Sequence, residues 1–156
     1  MTMKSQGEIE AAVCDGIARF QQDFVGRGPR DIHAHLIGPL LVVRLQGVLT
    51  PAERQLVAPY HDASTDCNGG GATSANDNGN GRSLLKQVRA HMVATGRPRL
   101  REIVEDATGV PLVSVHHDIS TLTGEEMIVF SLAEPPPCRA KRKLDAQSGR
   151  VKADRP

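Results

Sequence analysis

Asp31-Ile-His-Ala-His-Leu-Ile-Gly-Pro-Leu-Leu-Val-Val-Arg-Leu-Gln46 is the stretch from which the fold is read. On its first half Ile32, Ala34 and Leu36 alternate with Asp31, His33 and His35, and on its second Leu41, Val43 and Leu45 alternate with Val42, Arg44 and Gln46. A period of two places successive side chains on opposite faces of a strand, so each half has one apolar and one more polar face. Between the halves, Gly38-Pro39 forms a two-residue turn whose first position needs the positive φ that glycine supplies. The stretch is therefore a β-hairpin with one face turned to a core.

Upstream, residues 5 to 25 read as a helix. Ser5 followed by Glu8 is a capping box, and Ile9, Val13, Ile17, Phe20 and Phe24 recur at three and four to make one apolar stripe. Gly26 and Gly28, with Pro29 after them, stop it. Downstream, Thr50-Pro-Ala-Glu53 repeats the capping signature with Pro at the first helical position, which predicts a short helix to about Val57. Ser83 to Thr108 reads as a long helix with the stripe Leu85, Val88, Met92, Gly96, Leu100, Ile103 and Ala107, kinked or interrupted near Gly96 by Pro98. Gly109 and Pro111 end it.

A second hairpin closes the chain. Leu112 to Ser120 sets Val113, Val115, His117 and Ile119 against Leu112, Ser114, His116 and Asp118; Thr121 to Glu126 is the turn, and Met127 to Leu132 the last strand. The order of the main elements, α-β-β-α-β-β, predicts an α+β fold: a four-stranded antiparallel sheet with two long helices on one face. The second sheet face is not wholly polar, since Leu40, Val42, Leu112, Met127 and Val129 fall on it beside Arg44. Such a face is expected to associate, with a second copy as a homodimer or with another protein.

The remaining segments read differently. Residues 58–81 are dominated by Gly, Asn, Asp and Ser and read as a flexible insertion within a single domain spanning 5–133. This is not a phosphate loop, because no Gly-Lys-Ser/Thr ends it and no strand leads in. Residues 134–156 open with three prolines, hold few apolar residues and read as a disordered tail. Charge is divided between the two regions: residues 1–133 carry 12 Lys+Arg against 15 Asp+Glu, and 134–156 carry 7 against 3, so the tail is the basic part.

Composition removes several classes of function. Phe20, Phe24, Phe130 and Tyr60 are all the aromatics, too few for the stacking platform of a single-strand nucleic-acid binder. The longest apolar run, Ile37 to Val43, is far below the roughly 20 residues of a membrane span and is broken by Gly38-Pro39. The N-terminus shows no apolar signal core, and Cys14, Cys67 and Cys138 form neither a disulfide framework nor a C-x-x-C pair, so a reducing cytoplasm is the expected setting. No nucleophile elbow or Walker lysine is present, and Ser114, His116 and Asp118 on alternate positions of one strand point in parallel rather than forming a relay. No enzyme activity, catalytic residue or cofactor is expected.

Several segments, taken together, resemble the small bacterial MpsC-like family, named for a sodium-translocating, membrane-potential-generating system. They are Gly7-Glu-Ile-Glu10, Phe24-Val-Gly-Arg-Gly-Pro29, Val42 to Glu53, Val113 to Thr121, Gly124-Glu125 and Ile128-Val-Phe130, in that order along nearly all of residues 5–133. The resemblance implies a cytoplasmic accessory protein working beside a membrane complex for cation-coupled or inorganic-carbon transport, at the inner face of the membrane. It implies no catalytic residues. The other class to weigh is a small regulatory module that binds a ligand, or touches nucleic acid through the basic tail, and that reading predicts steep loss of affinity with salt.

Among the motif positions, Gly26, Gly28, Pro29, Gly47, Pro51 and Gly124 are turn chemistry, Thr50 and Glu53 are a cap, and Ser120 and Thr121 lead into the last turn. Arg27, Arg44, His116 and Asp118 have no evident local task and are the candidate functional residues. His33 and His35, about 7 Å apart along one strand face, have the spacing of metal ligands, and His116 with Asp118 could complete a site if the first and third strands were neighbours. The family pattern carries other residue types at 33, 35 and 117, so no metal is expected. Replacing His33→Ala together with His35→Ala should leave the melting temperature nearly unchanged and alter no metal content. Loss of one tightly held zinc per chain in that variant would reverse the expectation.

Overall fold

A computed structural model describes residues 2–58 and 77–139, with side chains in the second stretch from Asn80 onward. Helix α1 (Gln6–Val25) precedes strands β1 (Asp31–Ile37) and β2 (Leu40–Gln46). Helices α2 (Pro51–Val57), α3 (Asp77–Thr95) and α4 (Arg97–Thr108) follow, and β3 (Leu112–Ile119) and β4 (Glu126–Leu132) close the fold. The fold is α+β, and the four strands form one antiparallel sheet in the order β1-β2-β4-β3. Both expected capping boxes are closed: Ser5 with Glu8 opens α1, and Thr50 with Glu53 opens α2. The Gly38-Pro39 turn has Gly38 at φ +56° and sets the register Ile37 to Leu40 and Asp31 to Gln46.

All the helices pack on one face. Val13, Ile17, Phe20, Leu85, Leu100 and Val104 meet Ala34, Leu41, Val43, Leu45, Ile128, Phe130 and Leu132 in a single core. Each of these side chains larger than Ala34 contributes about 1.5–3 kcal/mol by leaving water. Among the described residues no helix is long and apolar enough to cross a membrane.

Where the structure departs from the sequence reading, the departures have local causes. Of the two outcomes expected at Pro98, the long helix is interrupted and not merely kinked: α3 ends at Thr95 and α4 begins at Arg97, with Pro98 in the first turn of α4. Proline lacks the N–H for an intrahelical bond and its ring collides with the carbonyl four residues back, so the chain restarts at Gly96. The buried stripe of this helix pair is Leu85, Arg89, Val93, Gly96, Leu100, Val104 and Ala107, with Val88 exposed and Met92 and Ile103 half-buried. On α1 the last buried position is Gln21, and Phe24 stacks outside on Phe20.

On β3 a bulge between Leu112 and Ser114 changes the parity of the strand. One extra residue turns everything before it to the opposite face. Leu112, expected on the open face, is therefore buried in the core at 5% exposure, and Val113 stands out at 59%. The strand order corrects the histidine geometry as well. Strands β1 and β3 occupy opposite edges, so His33 and His35 lie three strand spacings, roughly 14 Å, from His116 and Asp118.

Part of each segment read as flexible lies within the described residues. Helix α3 starts at Asp77, and its Gly81 backbone lies directly against the Leu56 carbonyl of α2. Residues 134–139 run back to the start of α1, where the Arg139 N–H donates to the Lys4 carbonyl at 3.0 Å and Pro136 is buried. Residues 59–76 and 140–156 lie outside the described residues.

The helix–helix contact depends on missing side chains. A Cβ at Gly96 would overlap the Phe20 ring, and one at Gly16 would overlap Ile103. Gly96→Ala should therefore cost about 1–3 kcal/mol through overpacking and lower the melting temperature by several degrees. Gly7→Ala, in the same fold but with open space around it, should be neutral or stabilising. Equal melting temperatures for the two variants would contradict this packing.

Candidate functional site

The ends of the four strands gather at one end of the sheet, because the register sets Asp31 beside Gln46, Leu45 beside Glu126, and Glu126 beside Ile119. The loops leaving that end are 26–30 between α1 and β1, 47–50 between β2 and α2, and 120–125 between β3 and β4. Gly26, Arg27, Gly28, Pro29, Gly47, Thr50, Ser120, Thr121 and Gly124 are all on them, with Pro51 and Glu53 just inside α2 and Asp118 near the end of β3. Motif positions scattered over about a hundred residues of sequence thus form one contiguous end of the molecule. The loops touch: Gly124 has no side chain where Leu49 packs, and the Arg27 guanidinium reaches the Leu49 carbonyl at 3.5 Å.

Beneath these loops lies a buried polar cluster centred on Arg89. Its Nε and Nη2 donate to the two carboxylate oxygens of Glu53 at 2.8 and 2.7 Å, a two-pronged ion pair. Nη2 also donates to the Val48 carbonyl at 2.8 Å, and Nη1 donates to Gln21 Oε1 at 3.3 Å and Glu126 Oε2 at 3.4 Å. The five guanidinium N–H groups thus all have acceptors. Gln21 Nε2 donates to Glu126 Oε2 at 3.0 Å, and His117 Nε2 is hydrogen-bonded to Glu126 Oε1 at 2.6 Å. Arg89, Gln21 and Glu126 are each 1% exposed.

Glu53 serves as helix cap and as counter-ion together. Its carboxylate accepts the Thr50 N–H at 2.8 Å while it pairs with Arg89. Burial pushes its pKa upward, but the Arg89 hydrogen bonds and charge and the Thr50 N–H outweigh that, and the carboxyl is held below its ordinary 4.5. With both carboxylate oxygens hydrogen-bonded, this group serves as a clamp.

Of the four candidate residues, Arg44 and Asp118 lie on the open sheet face near the motif end. Arg44 Nε and Nη2 donate to Glu125 Oε2 at 2.9 and 2.7 Å. Asp118 takes Lys86 Nζ at 3.0 Å and the Ile119 N–H at 2.9 Å, which together hold its carboxyl below the usual range. Lys86, Asp118, Ser120, Thr121, Glu125 and Met127 line a shallow, open depression there. His116 is exposed on the same face of β3, 3.3 Å from Ser114 Oγ, and Arg27 stands apart at the far side of the loops. Nothing brings these four into one constellation.

The residues the sequence reading passed over are Gln21, Arg89 and Glu126. Arg89 follows Leu85 by four and precedes Val93 by four, on the true stripe, but Val88 and Met92 offered an apolar route one step aside. Glu126 reads by sequence as the end of the turn, although it is the first core-facing position of β4. A signal was present in combination: one cation and three polar or acidic groups at core-facing positions, with His117 among them.

Comparison with known proteins gives a consistent family result. A profile described as Na+-translocating membrane potential-generating system (MpsC) matches residues 5–64 and 74–134. The uncharacterized protein YbcI of Bacillus subtilis (strain 168) is 30% identical over 129 residues, covering 83% of this chain and 89% of that protein. No solved structure matches.

Removing the guanidinium while leaving two buried carboxylates should be severe. Arg89→Met is expected to cost about 3–5 kcal/mol, and combining it with Glu53→Gln and Glu126→Gln should recover part of the loss. The pH dependence has a definite sign. Because the folded Glu53 pKa is depressed, the unfolded chain binds more protons below about pH 4.5, so the Glu53 contribution is complete above that value and is lost as pH falls through the folded pKa. Denaturant titrations from pH 7 to 3 should show this slope in the unmutated chain and a shallower one in Glu53→Gln; parallel profiles would contradict it.

Proposed function

The chain belongs to the MpsC family, and from that premise we propose that it is a non-catalytic accessory protein that docks, through its open sheet face, onto a protein of a cation-coupled membrane system. The observation that carries this reading is the character of that face. Ile37 and Leu40 are paired across the first hairpin, Val42 is paired with Val129 at the sheet centre, and Met127 lies next to Arg44. No described element covers them. Ile37 is 62% exposed and Leu40 is 40% exposed, an arrangement that a lone sheet gains nothing by keeping in water.

Around this apolar centre stand His33, His35, Arg44, His116 and Asp118, a mixed polar rim of the kind that surrounds protein–protein contacts. The motif loops at one end of the sheet adjoin the same face through Arg44, Asp118 and the 120–125 turn, so partner contact could extend onto them. The family's description, which names a sodium-translocating, potential-generating membrane system, supports this reading of the partner, and the proposed working place is the cytoplasmic surface of that membrane.

The test uses the two central valines. With the membrane subunits of such a system co-expressed, tagged full-length chain should co-purify with them in mild detergent. Val42→Asp and Val129→Asp should each lower recovery at least tenfold while shifting the melting temperature little, since both side chains lie on the solvent side of the sheet. Unchanged recovery in both variants would exclude this face as the docking surface.

A further inference from the structure

The two edges of the sheet are treated differently. Across the sheet the ladder parity is consistent: Ser120 N–H bonds the Glu125 carbonyl and Leu132 N–H bonds the Pro39 carbonyl, at 2.8 Å each. It follows that the backbone groups of Ile32, Ala34 and Leu36 on β1, and of Val115, His117 and Ile119 on β3, point outward from the sheet. On β1, helix α1 covers them. Glu10 accepts the Leu36 N–H at 2.9 Å, Gln6 donates to the Leu36 carbonyl at 3.1 Å, and the Cys14 thiol lies between the Ile32 carbonyl and the Ala34 N–H. Residues 6, 10 and 14 are one helical row laid along a strand edge, and they occupy the groups another strand would need.

On β3 only the ends are closed. Glu105 accepts the Leu112 N–H and Asp118 accepts the Ile119 N–H, each at 2.9 Å. Between them, among the described residues, no side chain or backbone group bonds the outward N–H and C=O of Val115 and His117.

We propose that a second copy of this chain pairs with this edge, β3 against β3 in antiparallel register about a two-fold axis at His116. That register is the one in which the open groups match themselves: Val115 meets the second copy's His117 and His117 meets the second copy's Val115, giving four main-chain hydrogen bonds. On the open face Ser114 falls opposite the second copy's Asp118 at both ends of the pairing, a hydroxyl donor against a carboxylate. The bulge and Glu105 at one end, and the Asp118 bond to Ile119 at the other, limit the contact to this short central segment. The product is an eight-stranded sheet with all helices on one side and two open faces continuous with each other. The pairing is independent of partner docking, since it uses backbone groups of β3 and not Val42 or Val129.

The dyad supplies the test. In this register residue 116 faces its own copy across a non-hydrogen-bonded pair, where Cα atoms approach to about 4.5 Å, inside the range a disulfide spans. Under mild oxidation full-length His116→Cys should run as a disulfide-linked dimer on a non-reducing gel. Ser114→Cys alone should not, because it faces the second copy's Asp118, whereas Ser114→Cys with Asp118→Cys should. Light scattering should report twice the 16.8 kDa chain mass for the unmutated protein and a single chain for His116→Asp, which sets two carboxylates against each other on an exposed position. An unmutated chain that is monomeric at tens of micromolar would overturn the proposal. So would a His116→Cys variant with unmutated melting temperature that fails to cross-link, or Ser114→Cys cross-linking as readily as His116→Cys.

Discussion

One guanidinium, fully enclosed, joins nearly every part of this fold. Arg89 on α3 reaches Glu53 at the start of α2, Gln21 near the end of α1, Glu126 at the start of β4 and the Val48 carbonyl in the loop before α2. Taking an arginine and two carboxylates out of water costs several kcal/mol per ion, and only complete hydrogen bonding offsets it. An arrangement of this kind adds little net stability over a well-packed apolar core. It tolerates few other geometries, because displacing α2, α3 or the end of either central strand would leave a charge buried without its counterpart. That constraint holds the 47–50 and 120–125 loops over the cluster, and so fixes where the motif positions read from the sequence stand.

The sheet explains why those motif positions share an end. Two hairpins lie side by side with their second strands, β2 and β4, paired at the centre. Both hairpins are antiparallel, so the loops that enter the first, leave it and close the second all project from the same end. Burial then divides the strands by parity. Leu41, Val43 and Leu45 with Ile128, Phe130 and Leu132 face the helices, while Val42, Arg44, Met127 and Val129 face away. A core built on one side necessarily leaves the other side open, and here the open side keeps apolar residues at its centre.

The helices finish the two edges unequally. Helix α1 follows β1 closely enough for Gln6, Glu10 and Cys14 to satisfy its outward backbone, while α3 and α4 contact β3 chiefly from below, with Glu105 and Lys86 reaching its ends. Protecting one edge of a sheet while a short, bulge-limited stretch of the other has no partner among the described residues restricts where further strand pairing can occur. Edge, face and loop end are therefore three distinct surfaces of one small domain.

Local sequence determined most of the secondary structure, because its causes act over a few residues. Ser5 with Glu8, Thr50-Pro51 with Glu53, the Gly38-Pro39 turn and the alternation of 31–46 and 127–132 each specify an element without reference to anything distant. The family was legible for the same reason, since the segments that carry the resemblance are largely these turns and caps. Tertiary structure decided what depends on partners far along the chain. The choice of Arg89 over Val88 as the buried position rests on Glu53 and Glu126, 36 and 37 residues away, whose carboxylates make a buried cation affordable there. The bulge that turned Leu112 inward, the strand order that separated His33 from His116, and the unequal edges likewise follow from packing between hairpins and helices. A periodicity within one segment carries no record of them, because the energies that select them arise only when distant segments meet.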